Sequence, residues 1–90
     1  MISREATITN RLGLHARAAA RFVATASAYA SEIHVRHGDK RVNGKSIMGL
    51  MMLAAACEAT ITIEAEGPDA EQAVNALAEL VANGFNEEET

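Results

Sequence analysis

Residues 60–81 read TITIEAEGPDAEQAVNALAELV, and this stretch decides the fold class. Across Thr60–Glu66, Ile61, Ile63 and Ala65 alternate with Thr62, Glu64 and Glu66. A period of two with polar outer positions predicts a strand in a sheet covered on one side only. Past Asp69 the period changes. Ala73, Val74, Leu77, Leu80 and Val81 make the inner stripe of a helix. Asp69 followed three residues later by Gln72 predicts a capping box at its start. Asn83-Gly84 supplies a stop at its end.

Outward from this unit, Ser31–His37 shows the same alternation, with Ile33 and Val35 against Glu32, His34 and Arg36. Gly38-Asp39 then predicts a hairpin turn into Lys40–Val42. Ala6 to Asn10 repeats the pattern weakly, with Ala6 and Ile8 inward. Two further helices are predicted. From Ala16 to about Ala28, Ala19, Phe22, Val23, Ala26 and Ala30 take helical spacing. From Ile47 to about Ala55 the run is apolar, with Ser46 as N-cap and Leu50, Leu53 and Ala54 available to the core. The order β-α-β-β-α-β-α predicts an α+β open-faced β-sandwich, a four-stranded antiparallel sheet covered on one face by three helices. One domain is expected over residues 1–86, followed by an acidic C-terminal tail at residues 87–90.

Composition removes several classes of function. Ninety residues suffice for one domain, and the single Cys57 allows no internal disulfide. No signal-peptide pattern opens the chain, and the longest apolar run, Ile47 to Cys57, falls short of the roughly 20 residues a bilayer demands. A soluble cytoplasmic monomer without membrane insertion is expected. Residues 1–45 hold all eight Lys and Arg against Glu5, Glu32 and Asp39, a net of +5; residues 46–90 hold nine acids and neither Lys nor Arg, a net of −9. Such asymmetry points to a basic face that meets an acidic partner or a phosphate. Part of the acidic surplus, Glu87, Glu88 and Glu89, also fits a frayed, solubilising end. The outer sheet positions carry Thr, Glu, His and Arg without aromatics for base stacking, and the net charge is −4, so nucleic acid is not expected as a partner. His34, His37 and Cys57 lack metal-ligand spacing, and no metal or cofactor is expected. Gly44-Lys45-Ser46 imitates the end of a P-loop, but Asp39 stands where its first glycine belongs.

Chemistry is expected at Asn10-Arg11-Leu12-Gly13-Leu14-His15-Ala16-Arg17. Gly13 allows a sharp turn out of the first strand, which puts His15 at or just before the first helical position. Free amides and the positive end of the dipole make a helix start an anion site. The dipole also disfavours a cationic ring there, leaving the imidazole its nucleophilic lone pair. Arg17 can fork onto phosphate oxygens. A lone His after a Gly turn also fits an ordinary loop.

Gly13-Leu14-His15-Ala16-Arg17 resembles the active-site signature of the HPr family, the histidine-containing phosphocarriers of the bacterial phosphoenolpyruvate-dependent phosphotransferase system. The resemblance extends over nearly the whole chain, through the second motif Gly44-Lys45-Ser46-Ile47-Met48-Gly49-Leu50 and the passage from Glu64 to Asp69. It implies that His15 accepts a phosphoryl group on Nδ1, that Arg17 steadies it, and that Ser46 matches a serine modified by a dedicated HPr kinase/phosphorylase in some bacteria. It further implies enzyme I as donor and an enzyme IIA domain as acceptor, with the chain as a stoichiometric relay rather than an enzyme. Ala18 departs from the family's common Pro and hints at a divergent branch, such as nitrogen-related regulation in place of sugar uptake. The alternative from another class is a non-catalytic, HPr-like regulatory binding module, which would have no need of His15 with Arg17.

Two stripes are left for docking. Ala16, Ala20 and Ala24 lie beside His15 on the first helix, where an all-Ala face admits close approach. Ile47, Met48, Met51 and Met52 form a flexible apolar patch on the second. Arg11, Arg21 and Lys45 are expected at its rim.

Overall fold

The computed structural model describes residues 1–87. The strands are β1 (Ile2–Thr7), β2 (Glu32–His37), β3 (Lys40–Asn43) and β4 (Thr60–Glu66); the helices are α1 (Ala16–Ala26), α2 (Ile47–Met52) and α3 (Ala70–Ala82), with a 3-10 turn at Gly84–Asn86. The four strands form one antiparallel sheet in the order β1-β4-β2-β3. All three helices lie on one face, giving the open-faced α+β sandwich. The core sits between the layers, with Ile33, Val35, Ile61, Ile63 and Ala65 from the sheet meeting Phe22, Leu50, Val74, Leu77 and Val81 from the helices.

Pairing rather than propensity sets the strand bounds. β1 runs from Ile2, earlier than the expected start at Ala6, because Ile2 to Thr7 lie opposite Ala65 to Thr60. Ile8 is fully buried just past its end, bonded to the 58–59 segment through Ile8 N–H to Ala59 O (2.9 Å) and Glu58 N–H to Ile8 O (2.7 Å). The β2–β3 hairpin closes through Gly38-Asp39 with His37 opposite Lys40; Gly38 alone has positive φ (64°), as a type II′ turn requires.

Three local expectations are overturned. Ala30 is exposed rather than core, because α1 ends at Ala26 and tightens through Ala28 N–H to Thr25 O and Tyr29 N–H to Ala26 O, so Tyr29 packs in its place. Ala54 is exposed as well: α2 stops at Met52 and Ala54 turns to φ 53°, while Leu53 and Ala55 are buried on either side. The Asp69–Gln72 capping box is absent. The Asp69 carboxylate instead accepts from Ala30 N–H (2.9 Å), Ser31 N–H (3.0 Å) and Ser31 Oγ–H (2.5 Å), tying the start of α3 to the entrance of β2. Those bonds, led by the Ser31 hydroxyl, hold its carboxyl below the usual value.

Glu64 points to the outer face as its register demands, yet it is buried. Arg41 Nε donates to it at 2.8 Å and Arg36 approaches at 3.1 Å, and the two half-exposed guanidinium groups cover it. The bond from Arg41 holds its carboxyl low against the opposing effect of burial, helped by the charges of Arg36, Arg41 and His34.

Candidate functional site

The loop between β1 and α1 is built around two close approaches. Asn10 starts a turn in which Gly13 N–H bonds Asn10 O (3.1 Å) and the Asn10 amide donates to Gly13 O (2.8 Å). Gly13 then takes φ 68°, and a Cβ there would stand 2.6 Å from Ala55 O. Leu14 is buried and its N–H bonds Ala55 O at 2.9 Å, so the loop is stitched to the segment leaving α2.

This stitching leaves His15 as the N-cap of α1, in extended conformation (φ −84°, ψ −177°), where its carbonyl receives Ala19 N–H. The cap acceptor is the ring itself: Nδ1 takes the Arg17 N–H at 3.2 Å. An accepting nitrogen carries a lone pair, so the proton of the neutral ring belongs on Nε2. Nε2 faces the Glu87 carboxylate at 2.5 Å. The other oxygen of Glu87 accepts from the Asn10 amide at 2.7 Å. The turn that delivers Glu87 is fastened by the buried Phe85, whose carbonyl accepts from Arg21 Nη1 at 2.8 Å. Burial pushes the Glu87 carboxyl up, but the hydrogen bonds from Asn10 and His15 and the charges of His15 and Arg21 outweigh it and hold the group below its ordinary value.

Chemically, this is a half-buried imidazole with its nucleophilic nitrogen at the start of an eleven-residue helix. Ala16 and Arg17 are exposed there, with first-turn amides turned toward any anion that reaches Nδ1. The Arg17 guanidinium makes no hydrogen bond with a described residue and is available to such an anion. Ala18 is fully buried in the first turn of α1 and packs into the core.

The other residues singled out in the sequence fall in two places. Ser46 caps α2, its Oγ accepting Gly49 N–H at 3.0 Å. Ile47, Met48, Met51 and Met52 are all exposed, Met48 at 75%, and Ala16, Ala20 and Ala24 are exposed on α1, which packs against α2. Of the expected basic rim, Arg11 makes no side-chain hydrogen bond among the described residues. Arg21 is spent on Phe85 O, and Lys45 Nζ donates to Tyr29 O at 2.8 Å. Leu12 adds an exposed apolar side chain (72%) on the loop that carries His15.

The sequence names Asn10 as the start of the loop, Arg21 as part of the docking rim and Glu87 as part of the tail, but not their joint place beside His15. By sequence Glu87 belongs to a solubilising tail, and only contact with a ring 72 positions earlier shows otherwise; the remaining acids of that tail, at 88–89, lie outside the described residues. Asn10 alone gave a local signal, as an Asn three residues before a turn glycine.

The family model described as "PTS HPr component phosphorylation site" matches residues 2–83. The chain is 51% identical over 89 residues to Phosphocarrier protein HPr of Neisseria meningitidis, across 99% of this chain and 100% of that protein. It is 41% identical over 86 residues to Phosphocarrier protein NPr of Shewanella violacea, across 96% of this chain and 94% of that protein. A crystal structure of HPr from Thermoanaerobacter tengcongensis superposes with a TM-score of 0.93 at 45% identity, covering 99% of this chain and 100% of the other.

Proposed function

The chain belongs to the HPr family of phosphotransferase-system phosphocarriers, and from that premise we propose that His15 is its phosphoryl-accepting residue, charged by enzyme I and discharged by an enzyme IIA domain. The observation that carries this reading is the Nδ1 of His15 held against the Arg17 amide at the start of α1. The Nδ1 lone pair forms a bond to phosphorus while the bond from phosphorus to the donor's histidine breaks, its electron pair staying with that nitrogen. As phosphate arrives, the Arg17 amide changes acceptor from the ring to a phosphate oxygen, the Ala16 amide adds a second donor, and the Arg17 guanidinium forks onto the group. Fixed donors stabilise the phosphoryl group enough for it to form and leave it free to be passed on. The protein acts as a stoichiometric monomeric relay in the cytoplasm, changed by one half-reaction and restored by the next. No helix among the described residues is long and apolar enough to cross a membrane.

Ile47, Met48, Met51 and Met52 with the Ala face of α1 form the docking surface in this reading. Ser46, at its edge, is the regulatory phosphorylation position. HPr and NPr relatives both match nearly the whole chain, so an assay with each kind of acceptor domain, sugar-linked or nitrogen-related, decides between them.

The test is the intact mass after incubation with phosphoenolpyruvate and catalytic enzyme I. One acid-labile phosphate is expected, absent from His15→Ala. No phosphate on the unaltered chain, with an enzyme I that charges another HPr, would overturn the relay in favour of a regulatory binding module.

A further inference from the structure

We infer, resting on the carrier reading above, that Met48, Met51 and Met52 form an oxidant-sensitive modification site: a peroxide converts their thioethers to sulfoxides, which closes the docking face reversibly and leaves the fold intact. The chain has four methionines and all are exposed, Met48 at 75%, Met51 at 45% and Met52 at 68% on α2, and Met1 at 75% far from them in sequence. Methionine ordinarily fills gaps in a core. Here the core takes only Leu50 and Leu53 from this segment, and the three thioethers stand at helical neighbour positions on the outward face.

This placement separates oxidation from unfolding. The six residues of α2 are fastened at the ends, by Ser46 Oγ on Gly49 N–H and by Lys40 Nζ and His37 Nδ1 on the carbonyls of Met52 and Leu53. Every fastener grips backbone atoms of the segment, and none uses a thioether. A sulfoxide at 48, 51 or 52 therefore keeps its oxygen in water while the protein is free. Docking changes that. The adjoining surface is Ile47 and the Ala16, Ala20 and Ala24 face of α1, whose side chains offer no hydrogen-bond donor. A partner shaped for thioethers must then bury a strong acceptor oxygen without a donor, and association weakens. Cys57 is the poorer target. Its Sγ–H is engaged on Thr9 O at 3.7 Å, the residue is partly covered, and the chain holds no second cysteine for a disulfide.

In the chemical step the thioether lone pair takes one oxygen from hydrogen peroxide. The O–O bond breaks, the proton of the transferred oxygen passes to the departing hydroxide, and water leaves. Sulfur gives up two electrons and the peroxide gains them. A dithiol-dependent methionine sulfoxide reductase reverses the change: the oxygen leaves as water and the two thiols become a disulfide.

The experiment treats the full chain with hydrogen peroxide, removes the oxidant with catalase and maps added oxygen by peptide mass. Phosphate uptake from phosphorylated enzyme I is then read at low and at saturating carrier, with the thermal midpoint alongside. Oxygen is expected on Met48, Met51 and Met52. Uptake at low carrier falls about tenfold, the factor for one buried acceptor left without a donor, while the saturating rate and the midpoint hold. Reductase treatment restores uptake. In a variant combining Met48→Leu, Met51→Leu and Met52→Leu, peroxide leaves the variant's own rate unchanged, whereas in Cys57→Ser the loss persists. Resistance of the three methionines to peroxide, or their oxidation with uptake unchanged, would overturn the inference. So would a loss that survives in the leucine variant, vanishes in Cys57→Ser, resists the reductase, extends to saturating carrier or comes with a lowered midpoint. Failure of the untreated chain to take phosphate would sink the carrier reading instead. Calorimetric titration of both forms with enzyme I then decides the inference, which falls unless oxidation weakens binding.

Discussion

At Gly13 two demands meet in one residue: a left-handed backbone at φ 68° and room for Ala55 O, which a Cβ would approach to 2.6 Å. Gly13→Ala therefore incurs backbone strain of about 1–2 kcal/mol and overpacking of about 1–3 kcal/mol. The easiest relief is a shift of Leu14 away from Ala55, which carries His15 with it. The expected outcome is a lower thermal midpoint, on the order of 10 °C for a domain of this size, together with slower phosphate uptake by the fraction still folded. Calorimetry and the enzyme I mass assay read the two effects separately. The turn at Gly13 was legible from sequence because its backbone demand is local; its close approach to Ala55 O was not, because the fold alone brings that segment near. Glu87 was not legible either, since nothing within several positions of it hints at an imidazole.

At the scale of the element, α2 is too short to be stable alone; isolated helices need about 12–15 residues. It is held at its ends. Ser46 Oγ caps Gly49 N–H, while the carbonyls at the far end receive Lys40 Nζ (Met52 O, 3.3 Å) and His37 Nδ1 (Leu53 O, 3.1 Å) from the β2–β3 hairpin. End fastening of this kind lets only Leu50 and Leu53 serve the core and leaves Ile47, Met48, Met51 and Met52 outward. Asp is as good an N-cap as Ser, so Ser46→Asp should shift stability by no more than about 0.5 kcal/mol. The added charge at the docking face should nevertheless slow uptake from enzyme I about tenfold. Uptake at the unmodified rate by a folded variant would remove Ser46 from the docking surface. The sequence showed the cap but placed the helix end about three residues late, because Ala54 turns left-handed where composition reads as continuing helix.

For the molecule as a whole, Glu64, Asp69 and Glu87 are the carboxylates held below their ordinary values, each by donors from a distant part of the chain. A carboxyl depressed by folding stabilises the folded state at pH above its unfolded value, near 4, and gives that stability up as pH falls through its folded value. Stability should therefore be level above about pH 5 and decline below about pH 4. Glu64→Gln tests the share of the outer-face cluster. At pH 7 it should cost about 1–3 kcal/mol, and chemical denaturation should show the gap from the unaltered protein closing as the pH approaches 3. A gap that stays constant with pH would mean that Glu64 contributes through packing rather than charge.

By itself the sequence determined the element order, the face each strand buries, the cap at Ser46 and the placement of His15 at a helix start. All of these follow from periodicity and turn chemistry within a few residues, where steric rules act without reference to the rest of the chain. The tertiary structure alone decided that Asp69 ties α3 to β2 instead of capping its own helix, that Arg36 and Arg41 bury Glu64, and that Glu87 returns to His15. In each case a charged side chain satisfied itself on partners 23 to 72 positions away. A buried or half-buried charge takes the best donors that folding brings within reach, and which donors those are is set by packing, not by spacing along the chain.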